Sequence, residues 1–316
     1  MKETIQKRQP LVVITGPTAT GKSDVGVLVA EKVGGEIISA DSMLVYRGMD
    51  IGTAKPTHAE MRGVPHHLID IVEPDQDYSV ALFQEQARFV IVDVLNRNKL
   101  PILVGGTGLY IGAVIDNYDF SSARSDGSLR GGFLKVAMDN GPESLHQRLS
   151  EVDPRAALKL HPRDTRRVIR ALEVYYLTGK PISSYHQADQ CGQPLYNLFM
   201  FGLTMERGRL YRRIEQRVDQ MIASGLVGEV KGLLDRGFRA ELVSMHGLGY
   251  KEIAAYLNGA LSLEKAVQIL KRNTRRFAKR QLTWFRRNDR IKWFNIDECG
   301  NKAVAQEITR CIEGVF

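Results

Sequence analysis

The first third of the chain alternates short apolar runs with stretches of helical periodicity. Leu11–Thr15 is a continuous apolar run, as expected for a strand buried on both faces of a parallel sheet. In Ser79–Arg97, apolar residues recur every three or four positions behind a serine suited to cap a helix. The predicted strands are Leu11–Thr15, Glu36–Ser39 and Pro101–Val104, and the predicted helices are Asp24–Val33, Ser79–Arg97 and Leu109–Ile115. This alternation predicts an α/β fold with a parallel sheet flanked by helices.

The pattern changes after about residue 120. A Ser/Gly-rich connector at 121–128 precedes a stretch of helical periodicity that runs to about residue 184. The strand Asn197–Thr204 then resumes the first pattern, and two helices, Gly208–Ala223 and Glu264–Phe285, and a last strand, Ile291–Asn295, follow it. We therefore expect an α/β core of residues 1–120 and 197–316, interrupted by a helical insertion domain at 121–196.

Composition excludes several classes of protein. Hydrophobic residues make up 43% and charged residues 25% of the chain, which is ordinary for a globular protein. No apolar run approaches the ~20 residues of a membrane span, and residues 1–10 lack the apolar segment of a signal peptide. The three cysteines are scattered, which argues against a zinc site or a disulfide framework. We expect a monomer in the cytoplasm, without a membrane partner.

Positive charge is concentrated in two places. The net charge is +8, and eight of the seventeen residues from Lys271 to Arg287 are Lys or Arg, with none acidic. A second group comprises Arg163, Arg166, Arg167 and Arg170. Two basic clusters at helical spacing favour a phosphate-backbone partner. Core packing is the favoured interpretation of the aromatic residues among them, Phe277, Trp284 and Phe285.

Residues 16–23 read Gly-Pro-Thr-Ala-Thr-Gly-Lys-Ser, a complete phosphate-binding loop. A predicted strand precedes the loop and a predicted helix follows it, so a chance match is disfavoured and the core is expected to resemble that of P-loop NTPases. The predicted phosphate-binding residues are Gly16, Pro17, Thr18, Ala19, Thr20, Gly21, Lys22 and Ser23. Lys22 would supply charge, and Ser23 a hydroxyl for Mg²⁺. The motif indicates a polyphosphate, without specifying a nucleotide or hydrolysis.

Two polar positions follow predicted strands, at the sheet edge where ligands bind. Asp41 is either a functional carboxylate or a turn residue, and the sequence alone leaves both open. Gly105-Gly106-Thr107-Gly108 is either a ligand-binding loop or a tight turn; it lacks the strand-end Asp of NTP-hydrolysing proteins. For Arg217 a solvated salt-bridge face is favoured over contact with phosphate, and for His66 and His67 a turn and core role over metal binding.

The motifs together resemble the tRNA dimethylallyltransferases, in a bacterial short form. The resemblance runs nearly end to end and rests on the phosphate loop and on six further segments. These are Ile-Ile-Ser-Ala-Asp-Ser-Met-Leu-Val-Tyr-Arg-Gly-Met-Asp-Ile-Gly-Thr-Ala-Lys-Pro at 37–56, Val-Pro-His-His-Leu-Ile-Asp at 64–70, Val-Gly-Gly-Thr-Gly-Leu-Tyr at 104–110, Arg-Val-Ile-Arg-Ala-Leu-Glu-Val at 167–174, Arg-Ile-Glu-Gln-Arg at 213–217 and Ala-Lys-Arg-Gln-Leu-Thr-Trp-Phe at 278–285.

The resemblance implies transfer of a dimethylallyl group from its diphosphate to N6 of the adenosine 3′ of a tRNA anticodon. Lys22, Arg217 and a Mg²⁺ ion on Ser23 would stabilise the leaving diphosphate, while Asp41 would take the amine proton and Thr107 would orient Asp41 or the diphosphate. The implied tRNA-binding residues are Asp41, Ser42, Met43, Leu44, Thr107, Arg130, Arg166, Arg167, Val168, Ile169, Arg170, His246, Gly247, Gly249, Tyr250 and Lys251. Around Arg130 the connector departs from the family's usual sequence.

Two other functions compete with this interpretation. A small-molecule or nucleotide kinase would share the phosphate loop and a helical insertion, but it gives no reason for two basic clusters. A non-catalytic RNA-binding module would explain the basic clusters, and it predicts that Asp41 has no catalytic role.

Overall fold

The computed structural model describes residues 8–116, 118, 126–184 and 195–314. The chain divides into two compact units, and most of the Ser/Gly-rich connector lies outside the described residues. The first unit comprises Met1–Ile115 and Tyr196–Phe316, and the second comprises Asp116–Leu195. Among the described residues, no helix is both long and apolar enough to cross a membrane.

The first unit is built on a parallel sheet of six strands in the order β3-β2-β4-β1-β5-β6. The strands are β1 (Gln9–Thr15), β2 (Glu36–Ser39), β3 (His66–His67), β4 (Pro101–Gly105), β5 (Tyr196–Thr204) and β6 (Ile291–Asn295). β1 lies at the centre, with Val12 in register with Ile102 of β4 and Phe199 of β5. The sequence prediction of a parallel α/β sheet is confirmed.

The helices, in chain order, belong to both units. They are α1 (Lys22–Val33), α2 (His58–Met61), α3 (Val80–Asn96), α4 (Gly108–Ile115), α5 (Gly127–Asn140), α6 (Pro142–Val152), α7 (Pro154–Lys159), α8 (Thr165–Thr178), α9 (Arg207–Ala223), α10 (Leu226–Asp235), α11 (Tyr250–Leu257), α12 (Leu263–Phe285) and α13 (Ile296–Ile312). Alternate residues of β1 pack on opposite faces: Val12 and Ile14 join one apolar cluster, and Leu11 and Val13 join another. The sheet is therefore covered on both faces.

The predicted elements agree with the observed ones to within one or two residues. The Ser79 hydroxyl caps α3 by accepting a 3.2 Å bond from the N–H of Leu82, as predicted. The turn predicted at His66 and His67 is wrong, because these residues form the short edge strand β3 beside β2. There, His67 Nε2 lies 2.7 Å from the Glu36 carboxylate. The helices α2, α10, α11 and α13 were not predicted.

The second unit, taken by itself, consists of α5 to α8 around a small apolar core. Leu145, Leu149, Val168 and Leu172 are fully buried there. The Glu173 side chain is also buried, and it accepts bonds from Arg130, Arg170 and the N–H of Asp126. Burial alone would raise the pKa of Glu173, but these bonds keep it below its ordinary value. The carboxylate therefore ties α8 to the start of α5.

Candidate active site

The phosphate loop connects β1 to the first turn of α1, as its sequence predicts. Gly21 adopts the left-handed conformation with φ 86°, and Gly16 has φ 141°. A Cβ atom at Gly16 would lie 2.4 Å from the carbonyl oxygen of Leu203 in β5. Any side chain at residue 16 would therefore force β1 and β5 apart. The free N–H groups at the start of α1 favour an anion there.

Two cations face this loop. Lys22 Nζ donates a 2.8 Å bond to the carbonyl of Pro17, inside its own loop. Burial lowers the pKa of Lys22 to about 8, against the attraction of Asp41 and with the repulsion of Arg217. Arg217 of α9 donates a 3.4 Å bond from Nη1 to the hydroxyl of Thr18, and burial lowers its pKa too. The solvated salt-bridge face favoured for Arg217 from the sequence is therefore wrong.

A cleft of about 750 Å³ opens beside the loop. Its wall includes Lys22, Ser23 and Arg217, joined by residues from the 50–60 segment such as Lys55 and by Arg213. Ser23 is exposed in the first turn of α1. The carboxylates Asp24, Asp50 and Glu60 also line the cleft. Beside the loop, Lys22, Arg217 and the Ser23 hydroxyl form the part of the wall that suits a phosphorylated ligand.

Two hydrogen bonds join the loop that carries Asp41 to the loop that carries Thr107, at the carboxyl end of the sheet. The Thr107 hydroxyl accepts a 3.1 Å bond from the N–H of Ser42, and the Thr107 N–H donates a 3.1 Å bond to the carbonyl of Ala40. A Cβ at Gly105 would lie 2.1 Å from that same carbonyl oxygen, so only glycine allows this approach.

Asp41 lies in a turn close to the cations of the phosphate loop. Asp41 Oδ1 accepts a 2.9 Å bond from the N–H of Met43, which makes it a turn residue. Its charge also acts on Lys22 and Arg217, raising the pKa of each against the effect of burial. The turn therefore holds a half-exposed carboxylate next to the phosphate-loop cations.

Two predicted tRNA-binding segments of the first unit lie against each other. A Cβ at Gly247 would stand 2.5 Å from Met43 Cε, so the 246–251 segment touches the 42–44 segment. His246 and Lys251 are exposed, whereas Tyr250 is fully buried. The Tyr250 hydroxyl donates a 2.7 Å bond to Glu229. The buried Tyr250 side chain thus anchors the 246–251 segment to Glu229.

The predicted tRNA-binding residues of the second unit differ in their surroundings. Arg166 and Arg167 are exposed, and Arg167 pairs with Asp164 at 3.5 Å. Val168 and Ile169 are buried in the core of that unit, so their side chains hold α8 rather than face solvent. Arg130 and Arg170 are bonded to Glu173, as described above.

Sequence reasoning missed three residues that shape the site. Glu229 accepts bonds of 2.9, 2.7 and 3.1 Å from the N–H groups of Asp50, Ile51 and Gly52, and so fixes one wall of the cleft. The buried ammonium of Lys55 bonds to the carbonyl of Tyr46 and to the carboxylates of Asp50 and Asp70. The third residue, Gln281 of α12, contacts the backbone of the phosphate loop. Glu229 lies outside every segment that carried the resemblance. Gln281 lies within the segment 278–285, but its bonding partners are distant in sequence, so the motif did not reveal its role.

The helix α12 carries the basic cluster predicted near the C-terminus. Arg272, Arg276 and Lys279 are exposed and have no ion pair among the described residues. Lys271 and Arg275 instead bond to Asp219 and Glu215 of α9. Of the aromatic residues, Phe285 is buried in the core, whereas Trp284 is 45% exposed and lies over Gly108. The core interpretation is therefore wrong for Trp284.

The fold and the site define an α/β protein that has a P-loop after β1 and a carboxylate, Asp41, after β2 at the same edge of the sheet. A family model described as IPP transferase matches residues 44–288, and one described as Isopentenyl transferase matches residues 9–74. A tRNA dimethylallyltransferase of Pelotomaculum thermopropionicum is 66% identical over 311 residues, covering 98% of both chains. That of Geobacillus thermodenitrificans is 52% identical over 307 residues, covering 97% of both. The chain therefore belongs to the tRNA dimethylallyltransferase family, as its motifs indicated.

Two solved structures are similar to the whole chain. The full-length tRNA isopentenylpyrophosphate transferase of Bacillus halodurans is 48% identical with a TM-score of 0.72, covering 97% of this chain and 96% of its own. A eukaryotic dimethylallyltransferase, described as acting on tRNA, is 30% identical with a TM-score of 0.80 and covers 96% of this chain and 78% of its own. Both agree with the P-loop-like α/β fold.

Proposed function

We propose that the chain transfers a dimethylallyl group from dimethylallyl diphosphate to N6 of adenosine 37, 3′ of the anticodon of a tRNA, giving N6-isopentenyladenosine. The observation that carries this function is the placement of Asp41 after β2, in a turn bonded to the Thr107 hydroxyl through the Ser42 N–H, where its partly exposed carboxylate acts on Lys22 and Arg217 of the phosphate site. Membership of the tRNA dimethylallyltransferase family supports the same reaction.

The phosphate loop would hold the leaving group. As the allylic carbon–oxygen bond breaks, negative charge grows on the diphosphate, and fixed N–H groups and cations stabilise it. Lys22 exchanges its bond to Pro17 for a phosphate oxygen, and Arg217 contributes from α9. Both cations are already partly desolvated, so little solvent has to be removed when the ligand binds.

Asp41 would act on the acceptor. The adenine amine is a weak nucleophile because its lone pair is delocalised into the ring. Asp41 accepts a bond from N6 and takes its proton as the new carbon–nitrogen bond forms. Thr107 holds Ser42 and therefore the turn that carries Asp41. A stacked base cannot reach this site, so the adenine has to be turned out of the anticodon loop.

The residues of the site fit a magnesium ion bound largely by its ligand. The Ser23 hydroxyl is exposed in the cleft, and its oxygen is of the hard type that Mg²⁺ prefers. No group of three His, Cys, Asp or Glu side chains suited to a metal occurs among the described residues. Ser23 and the diphosphate oxygens would therefore hold the ion, which would neutralise charge on the leaving group.

Contact with tRNA is proposed for the partly exposed segment Ser42–Leu44, for His246 and Lys251, for the exposed cations of α12, and for Arg166 and Arg167 of the second unit. Accessible cations and loop residues of this kind neutralise and position a phosphate backbone. Gly247, Gly249 and Tyr250 are buried and would support this surface rather than touch the tRNA. A tRNA substrate also supports a cytoplasmic location. We propose a monomer, which size-exclusion chromatography with light scattering would test.

The experiment that tests this function is incubation with radiolabelled dimethylallyl diphosphate and unmodified tRNA. Label is expected in the tRNA at adenosine 37, with release of diphosphate. A kinase function is not favoured, since the relatives of this chain are tRNA prenyltransferases. Label absent from tRNA, with ATP consumed alongside a small acceptor, would replace the transferase with a kinase.

A further inference from the structure

Gln281 connects the two loops that form the site. Its side chain is 6% exposed. Oε1 accepts a 2.9 Å bond from the N–H of Thr18, and Nε2 donates a 2.9 Å bond to the carbonyl of Gly106. One amide therefore spans the gap between the phosphate loop and the loop that follows β4.

The two bonds require this particular side chain. An amide offers an acceptor at one end and a donor at the other, whereas a carboxylate offers acceptors alone. The loop approaches the amide so closely that a Cβ at Gly106 would lie 2.3 Å from Nε2. With both ends satisfied in a buried place, the amide fixes the separation of the loops.

Each bonded loop leads directly to a reacting group. On one side, Thr18 also receives the bond from Arg217. On the other, Gly106 precedes Thr107, whose hydroxyl holds the N–H of Ser42 beside Asp41. A continuous series of contacts thus runs from Arg217, beside the phosphate loop, to the turn that carries Asp41.

We propose that Gln281 is a positioning residue that sets the distance between the diphosphate cradle and Asp41. This inference rests on the proposed function. The attacking nitrogen and the departing oxygen must lie on opposite sides of one carbon atom, and misplacement by about 1 Å costs about 100-fold in rate. Gln281 keeps the two sides aligned without touching either substrate.

The test compares Gln281→Met and Gln281→Glu with Gln268→Met and Gln268→Glu. Gln268 is exposed on the same helix and provides the matched control. The measurements are the single-turnover transfer rate at saturating substrates, and the affinities for tRNA and for inorganic diphosphate with Mg²⁺. Both Gln281 variants are expected to transfer about 100-fold more slowly than the controls, with either affinity changed less than about threefold.

Two results would overturn the inference. One is transfer by both Gln281 variants at the rate of the Gln268 variants. The other is a loss of diphosphate affinity as large as the loss of rate, since Gln281 would then merely brace the phosphate loop. If Gln281→Glu fails to fold, the comparison of rate and affinities is made with the uncharged Gln281→Met alone. An unmodified chain that transfers no label at all would instead refute the proposed function.

Discussion

The hydroxyl of Thr107 accepts a 3.1 Å hydrogen bond from the backbone N–H of Ser42, 65 positions earlier in the chain. The carboxyl ends of β2 and β4 are thereby joined through a side chain as well as through their strand pairing. Asp41 lies inside the joined segment, so the bond fixes where its carboxylate stands.

Replacing Thr107 with Val removes this acceptor while keeping the shape of the side chain. We expect kcat to fall about 10- to 100-fold, because the turn that carries Asp41 loses its support, while Thr107→Ser retains most of the activity. Steady-state kinetics with both substrates would measure the difference. Equal activity of the Val and Ser variants would show that the hydroxyl is dispensable.

Replacing Asp41 with Asn separates its two roles. Asn keeps an oxygen for the Met43 N–H and therefore the turn, but it cannot take a proton. We expect the transfer rate to fall about 10²- to 10⁴-fold with tRNA affinity preserved. Asp75→Asn, at an exposed loop carboxylate, is the control. An unchanged rate in Asp41→Asn would favour a non-catalytic RNA-binding role.

The lowered pKa of Lys22 predicts a pH dependence. Below about pH 8 the ammonium is charged and, on the proposed function, would bind diphosphate. Above that pH the charge is lost, so kcat/KM for dimethylallyl diphosphate should fall tenfold per pH unit. A pH–rate profile of the wild type and of Lys22→Met would measure this. The variant should be much less active and should lack that fall. A wild-type profile that stays flat to about pH 9.5 contradicts the assignment.

Glu229 should stabilise the wall of the cleft rather than take part in the reaction. Glu229→Ala leaves three N–H groups without their acceptor, and we expect a loss of about 1–3 kcal/mol in the free energy of unfolding and a higher KM for dimethylallyl diphosphate. Urea denaturation and steady-state kinetics would check both. Glu241→Ala, at an exposed position, should change neither. A normal KM in the Glu229 variant would show that this wall of the cleft does not contribute to binding dimethylallyl diphosphate.

The exposed cations of α12 should set the salt dependence of tRNA binding. Combined replacement of Arg272, Arg276 and Lys279 by Gln would remove the three phosphate contacts proposed for them, which should weaken binding and reduce the slope of log K against log salt by about 2. The control replaces three exposed lysines elsewhere, Lys32, Lys99 and Lys231, and so has the same net charge. Titrations at several salt concentrations would compare the two, and identical slopes would exclude α12 from the interface.

Much of the fold could be predicted because its signals are local. An apolar run of five residues identified β1, and a serine before a periodic stretch located the start of α3. The juxtaposition of Asp41 and Thr107 was also foreseeable, since parallel strands bring their carboxyl ends together.

Contacts between distant parts of the chain could not be foreseen. Gln281 bonds to Thr18 across 263 positions, and both of its partners are backbone atoms, which carry no sequence signature. Glu229 likewise binds three N–H groups. The edge strand His66–His67 is too short to show periodicity. Arg217 resembled any helix-surface arginine until folding placed it against Thr18.

The close approach of Gly16 to Leu203 bears on how the protein is made. The phosphate loop leaves the ribosome well before β5, which flanks it, because the whole second unit is synthesised between them. Gln281 is synthesised later still. The loop therefore remains incompletely packed until both have been made, and contacts of such high sequence separation slow folding. A nascent chain that stops before residue 196 lacks the strand against which its phosphate loop is shaped.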